Sequence, residues 1–183
     1  MLAVLSLVAC DSESVSSNED TNDFIENIGE KKKDVFENLN LEEGKDIEEF
    51  ELAGTYAFKK EQTFHGKPLT IALTFDIDTD KLYGFMYLNL FEDGKDGYDL
   101  TKKLYEDLNK EYGNPTTYPG MTDRISEMPS YENIRTDDFE DYLEIWDVKN
   151  GLDAELRMSY FGDQRIRVAL TYKVNEVPED WYE

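Results

Sequence analysis

Asp141-Tyr142-Leu143-Glu144-Ile145-Trp146-Asp147-Val148-Lys149-Asn150-Gly151-Leu152-Asp153-Ala154-Glu155-Leu156-Arg157-Met158-Ser159-Tyr160 is the stretch from which the fold can be read. Asn150-Gly151 suits a two-residue hairpin turn, because a type I′ turn needs positive φ at both central residues and Asn and Gly tolerate it. The turn joins predicted strands at 141–149 and 152–160. A two-residue loop pairs Val148 with Asp153, Trp146 with Glu155 and Glu144 with Arg157. In that register Leu143, Ile145, Ala154, Leu156 and Met158 share one face, so turn chemistry and hydrophobic alternation select the same core. Tyr142, Trp146 and Arg157 are then expected on the opposite face.

Working outward, 165–174 is predicted as a further strand burying Ile166, Val168, Leu170 and Tyr172. Keeping that set on the core face requires an odd number of loop residues, or a bulge, around Phe161-Gly162-Asp163. Alternation adds Arg165, Arg167 and Lys173 to the face that carries Tyr142, Trp146 and Arg157. Tyr, Trp and Arg concentrate binding energy at interfaces, so these six are the candidate binding face, for a protein or an anionic ligand. A solvated face with cross-strand pairs such as Glu144–Arg157 is the bland alternative.

Upstream, Leu100, Leu104, Leu108 and Tyr112 recur at four-residue spacing and predict a helix that stops at Gly113 and Pro115. Residues 116–136 show no period and contain Pro119, Gly120 and Pro129, so they predict a long loop, functional or mobile. A strand at 81–91, apolar on both faces, is expected at the centre of the sheet. Before it, Tyr56, Phe58 and Phe64 alternate up to a His65-Gly66-Lys67-Pro68 turn, and Leu69, Ile71, Leu73 and Phe75 alternate after it. A four-residue loop there places Phe64 opposite Leu69 and Phe58 opposite Phe75. A first helix is predicted at 30–39, with Val35, Phe36 and Leu39 inward. The acidic stretch 41–52 reads as a further short helix through Ile47 and Phe50 or as irregular chain.

These elements give an α+β fold, helices packed on antiparallel sheet, with two similar α-β-β-β units in tandem. The expected division is 10–27 as a flexible acidic tether and 28–174 as the domain, with sub-units 28–96 and 97–174, followed by a tail at 175–183. The element order resembles the tandem helix-plus-sheet units of beta-lactamase inhibitory protein and of small outer-membrane assembly lipoproteins. That resemblance implies architecture only, because function does not travel with fold.

The first nine residues are apolar except for Ser6 and end in Ala9, too short a run to span a bilayer. They read as the remnant of a signal peptide whose basic start would lie upstream. Leu7-Val8-Ala9-Cys10 closely resembles the lipobox of bacterial lipoproteins. The resemblance implies diacylglyceryl modification of the Cys10 thiol and cleavage just before it. It places the protein on the extracytoplasmic side of a membrane, held by buried methylenes worth about 0.8 kcal/mol each.

Lys and Arg number 19 against 42 Asp and Glu, a formal charge of -23, which argues against a nucleic acid partner. One cysteine excludes an internal disulfide and one histidine, His65, excludes a His-rich metal cage. Asp76-Ile77-Asp78-Thr79-Asp80 opens like a calcium loop, but Lys81 and Tyr87 hold the places of the required glycine and bidentate glutamate. No phosphate loop, zinc motif, dinucleotide fingerprint or Gly-x-Ser-x-Gly elbow occurs, so no metal or cofactor is expected, and His65 reads as a solvated turn residue. The expectation is a non-catalytic binding domain of a membrane-anchored lipoprotein. The alternatives are an extracytoplasmic hydrolase using carboxylates and a structural envelope protein.

Overall fold

The computed structural model describes residues 17–50, 52–116, 128–134, 141–161 and 164–182. The leader, Cys10, most of the 116–136 loop and Gly162-Asp163 lie outside the described residues. The elements in chain order are helices α1 (Ser17–Glu26) and α2 (Lys32–Asn38), then strands β1 (Ile47–Glu49), β2 (Thr55–Phe58), β3 (Gln62–Phe64), β4 (Lys67–Phe75) and β5 (Leu82–Phe91). Helices α3 (Gly94–Tyr112) and α4 (Tyr131–Ile134) follow, then β6 (Asp141–Lys149), β7 (Leu152–Tyr160), β8 (Ile166–Val174) and a short 3-10 turn at Glu179–Tyr182.

The strands form one antiparallel sheet in the order β1-β2-β4-β5-β8-β7-β6, with β3 paired to β4 beyond the end of β2. The fold is α+β, as expected. The two halves share one sheet, meeting along β5 and β8, and the first carries strands β1 and β3, which have no counterpart among the described residues of the second. β5 is central, which is why its sequence is apolar on both faces.

Helix α3 follows its pattern closely. Asp93 caps its start by accepting from Lys95 N at 2.9 Å, and Leu100, Leu104 and Leu108 are buried. Gly113 ends it at φ +86°, its N–H donating to Asn109 O at 3.0 Å. The helix lies so close to the sheet that a Cβ on Gly97 would come within 2.9 Å of the Ile166 side chain.

Three expectations at the N-terminal side are corrected. The segment expected as tether is helical from Ser17, and Phe24 is only 5% exposed, its ring 5.1 Å from Phe85 and 6.1 Å from Phe58. One aromatic ring offsets the chain entropy that the polar composition alone does not. The 41–52 stretch contributes strand β1 rather than a helix, with Ile47 fully buried and Glu48 and Glu49 exposed. The first hairpin turns on His65-Gly66 alone, so Phe64 opposes Lys67, Gln62 opposes Leu69 and Tyr56 opposes Leu73. Phe58 therefore does not face Phe75. The displacements from the expected register are two and four residues, and an even shift leaves every side chain on its expected face.

The decisive correction concerns the last hairpin. Asn150 (φ +54°) and Gly151 (φ +76°) form the expected turn and Lys149 opposes Leu152. Between Asp147 and Lys149 the ladder slips by one residue, because Val148 is extra on its strand. Asp147 Oδ1 accepts from Lys149 N at 3.0 Å inside this bulge. Beyond it Trp146 opposes Ala154, Glu144 opposes Leu156 and Leu143 opposes Arg157. An odd slip exchanges the faces of β6. Tyr142, Glu144 and Trp146 are buried with Ala154, Leu156 and Met158, whereas Leu143 and Ile145 lie on the opposite face, partly exposed.

Magnitudes explain the outcome. A ring system of this size buries roughly 150–250 Å², an upper bound of roughly 4–6 kcal/mol at about 25 cal/mol per Å². A buried Leu or Ile contributes about 1.5–3 kcal/mol, and one forfeited ladder hydrogen bond costs only about 0.5–1.5 kcal/mol. Turning Trp146 and Tyr142 inward outweighs the bulge. Across the next connection, Tyr160 pairs with Ile166 over five intervening residues, the odd number the pattern requires, and Ile166, Val168, Leu170 and Tyr172 are all buried.

Trp146→Ala is expected to lower the unfolding free energy by about 3–5 kcal/mol, as for a fully buried aromatic. Urea titration of the variant beside the wild type checks this, and a loss within about 0.5 kcal/mol would place the ring on the solvent face instead.

Candidate functional site

The sheet has two unlike faces. Phe24 of α1 and Phe36 of α2 stack on the aromatic rings of β2, β4 and β5. Helix α3 covers Ile166, Tyr142 and Trp146 from the same side. The other face runs in cross-strand rows. One is Ala57, Ala72, Met86, Thr171, Glu155 and Ile145, and the next is Thr70, Leu88, Ala169, Arg157 and Leu143.

The six residues expected to form one binding face are divided between these sides. Trp146 and Tyr142 are 0% exposed on the helix-covered face. The indole N–H of Trp146 reaches Asn109 Oδ1 and Gly113 O, both at 3.1 Å, and Tyr105 packs against both rings. Neither aromatic is an interface anchor. Arg157, Arg167 and Lys173 do stand on the opposite face, and Arg165 sits partly buried just before β8.

Glu155 accepts from Lys173 at 2.8 Å and from Arg157 at 3.2 Å, while Arg157 also lies 3.7 Å from Asp141. Arg167 donates to Ser159 Oγ at 3.2 Å, with its guanidinium 5.5 Å from the Phe161 ring centre. The cations are thus engaged with their own sheet, in partly exposed pairs worth about 0–1 kcal/mol each. What the face offers besides is apolar surface. Met86, Leu88, Leu90, Leu143 and Ile145 are partly or fully exposed, and no charged side chain interrupts β4 and β5 between Thr70 and Leu88 on this side.

On the helix side, α1 and α3 are separated by a cleft of 510 Å³. Leu104, Leu108 and Leu170 form its apolar floor, with Phe64, Tyr112 and Tyr172 as aromatic walls. The rim carries Asn22 from α1, His65 from the first hairpin turn, and Lys103, Asp107, Lys110 and Glu111 from α3. His65 is not the solvated turn residue expected from sequence. It does occupy the turn, at φ +49°, but its side chain is 13% exposed, edge-on to Phe64 and with Nδ1 3.5 Å from Asp107.

Burial and the nearby Lys103 hold the His65 imidazole below its ordinary value of 6.5, against the opposing pull of Asp107. Burial also raises Tyr112 to about 12 and pushes Tyr172 well above the ordinary phenol range, so both keep their protons and remain donors. Sequence spacing gave no warning of this convergence, because its members come from α1, β3, α3 and β8. Among the described residues the cleft lining includes no serine or cysteine, and the Thr21 hydroxyl is bonded to Tyr87 at 2.8 Å, so none of them completes a nucleophilic triad with His65 and Asp107 there.

The 76–80 segment is an acidic turn: Asp76 accepts from Thr79 N and Oγ1, both at 2.8 Å, which lowers its carboxyl pKa. Among the described residues no group of three or more His, Cys, Asp or Glu side chains converges as metal ligands, and no helix is long and apolar enough to cross a membrane. No family model, curated protein or solved structure matches the chain.

The lowered pKa fixes a sign. The unfolded chain takes up the His65 proton as pH falls through 6.5, while the folded chain resists it until lower pH. The His65 contribution to stability is therefore complete above that value and is lost as pH falls below it. His65→Asn keeps a residue suited to positive φ. Denaturant midpoints measured from about pH 7.5 to about pH 5.5 should fall less steeply in this variant than in the wild type. Parallel slopes would show that His65 titrates as freely folded as unfolded.

Proposed function

We propose that the protein is a lipid-anchored extracytoplasmic lipoprotein, a non-catalytic domain that binds a protein partner through the open face of its sheet. The single observation that supports the binding role is that face itself. Met86, Leu88 and Ala169 adjoin one another on β5 and β8, and Leu143 and Ile145 stand on β6 beyond the paired Glu155 and Arg157 of β7, all on the side away from the helices. Exposed apolar surface rimmed by polar groups marks interaction sites.

Charge selects the kind of partner. The chain carries a formal -23, and Glu48, Asp141 and Asp147 stand exposed at the margins of this face. A partner with apolar side chains inside a basic rim complements it, and an acidic one is repelled. The anchor rests on Leu7-Val8-Ala9-Cys10, whose small residue before cysteine at the end of an apolar run supports acylation.

Intact mass of the membrane-extracted protein, expressed from its full native gene, is expected to show a diacylglyceryl-sized increment that disappears in Cys10→Ser. An unmodified, freely soluble wild type would remove the anchor from the proposal. The binding face has its own test, with a photo-crosslinking residue at Leu88 on intact cells and the same residue at exposed Glu37 of α2 as control. Capture of a discrete basic protein is expected from position 88 alone, weakening as salt is raised because the rim charges are solvent-screened. Equal capture from both positions, or none from 88, would count against the face.

A further inference from the structure

We propose that the cleft between α1 and α3 is a second binding site, on the side of the sheet away from the apolar face, and that it takes a neutral saccharide of one or two rings. Its 510 Å³ falls within the range of small-ligand sites, about 300–1,000 Å³. The ligand class follows from the lining by elimination.

Lys103 and Lys110 on the rim are matched by Asp107 and Glu111, and His65 is neutral at physiological pH, so the lining has no net charge to select an ion. An anion would also enter against the field of a chain at -23. A wholly apolar ligand would leave the charged and hydroxyl groups of the rim desolvated without partners, at about 1–3 kcal/mol each. The remaining class is a neutral molecule with an apolar face and many hydroxyls.

The arrangement fits that chemistry in detail. Tyr112, partly exposed, presents ring surface against which the C–H face of a sugar ring packs, above a floor of leucines, with Phe64 and Tyr172 buried behind it and stacked on Tyr87 and Phe85. Lys103, Asp107 and Glu111 follow one another at four-residue intervals on α3, about 6 Å apart along the helix. They line the mouth with a donor followed by two acceptors, able to bond successive hydroxyls. Tyr172 and Tyr112, held protonated by burial, are hydrogen-bonded to one another and on to Glu111, which fixes the inner wall and leaves the Lys103 and Lys110 ammoniums as the donors at the mouth. The position of His65, fixed by its turn and by the Phe64 ring, keeps one imidazole nitrogen against Asp107 and the rim ordered.

Saturation-transfer NMR on the full-length protein tests this with cellobiose, maltose and N,N′-diacetylchitobiose as probes, and with L-leucine and inorganic phosphate as controls. At least one saccharide is expected to receive saturation at up to about 10 mM and to shift the methyl resonances of Leu104, Leu108 and Leu170. Asn22 is exposed on the α1 rim, so Asn22→Trp closes the mouth without entering the core. Its binding should be weaker by about tenfold or more, while the thermal midpoint stays that of the wild type. Binding of leucine or phosphate in place of every saccharide would overturn the ligand class. No transfer to any saccharide, or transfer unaffected by Asn22→Trp, would overturn the site.

Discussion

The indole of Trp146 is held at the C-terminal end of α3 by two hydrogen bonds, to Asn109 and to the Gly113 carbonyl, and it is fully enclosed there. That contact requires Trp146 to point toward the helix, and with a two-residue Asn150-Gly151 turn it can do so only if one residue is extra in its strand. Val148 is that residue. The bulge thereby sets which side of β6 meets the helix layer and which is left open. Tyr142 follows Trp146 inward by strand alternation, and Leu143 and Ile145 follow outward. The character of both faces of the sheet at this end depends on the one contact.

Much of the architecture was legible because it rests on local chemistry. The limits of β6 and β7 follow from one turn dipeptide and two alternating runs, and the end of α3 from a glycine at positive φ. Central β5 declared itself by being apolar on both sides. Register was less legible, and the two hairpins show why. In the first, the even displacement was harmless to the core, since Tyr56, Phe64, Leu69, Ile71, Leu73 and Phe75 are all buried as their alternation implies. In the last, a displacement of one misassigned the side chains of β6 from Asp141 to Asp147. No property of Val148 in sequence marks it as a bulge. Only the competition between burying two large rings and burying Leu143 with Ile145 does, and that competition exists only once α3 is in place.

Helix α1 was illegible for a related reason. Its composition is that of a solvated tether, and among its described side chains the large buried one is Phe24, assisted by Thr21, whose hydroxyl bonds Tyr87. Nothing within 17–26 announces a partner, because the partner is the aromatic surface of Phe58, Phe85 and Tyr87, three strands' worth of sequence away. The His65 cleft shares this origin. Its walls come from α1, which packs on β2 and β5, and from α3, which packs on β5 to β8, so no window of sequence contains it.

The two faces also differ in how they handle charge on so acidic a chain. On the open face the cations are spent on internal pairs, with Glu155 taking both Lys173 and Arg157, which leaves the central strands apolar and electrically quiet. Such a surface discriminates by shape and desolvation, with the acidic margins acting at long range on encounter rather than on final affinity. Across the sheet, the cleft keeps charges of both signs at its rim above an apolar floor, an arrangement that discriminates by hydrogen-bond direction. The two proposed recognition chemistries are compatible in one small domain because a single sheet separates them. Their coupling, if any, would have to pass through β8, whose alternate side chains, Leu170 and Tyr172 inward and Ala169 and Thr171 outward, are the material shared by both surfaces.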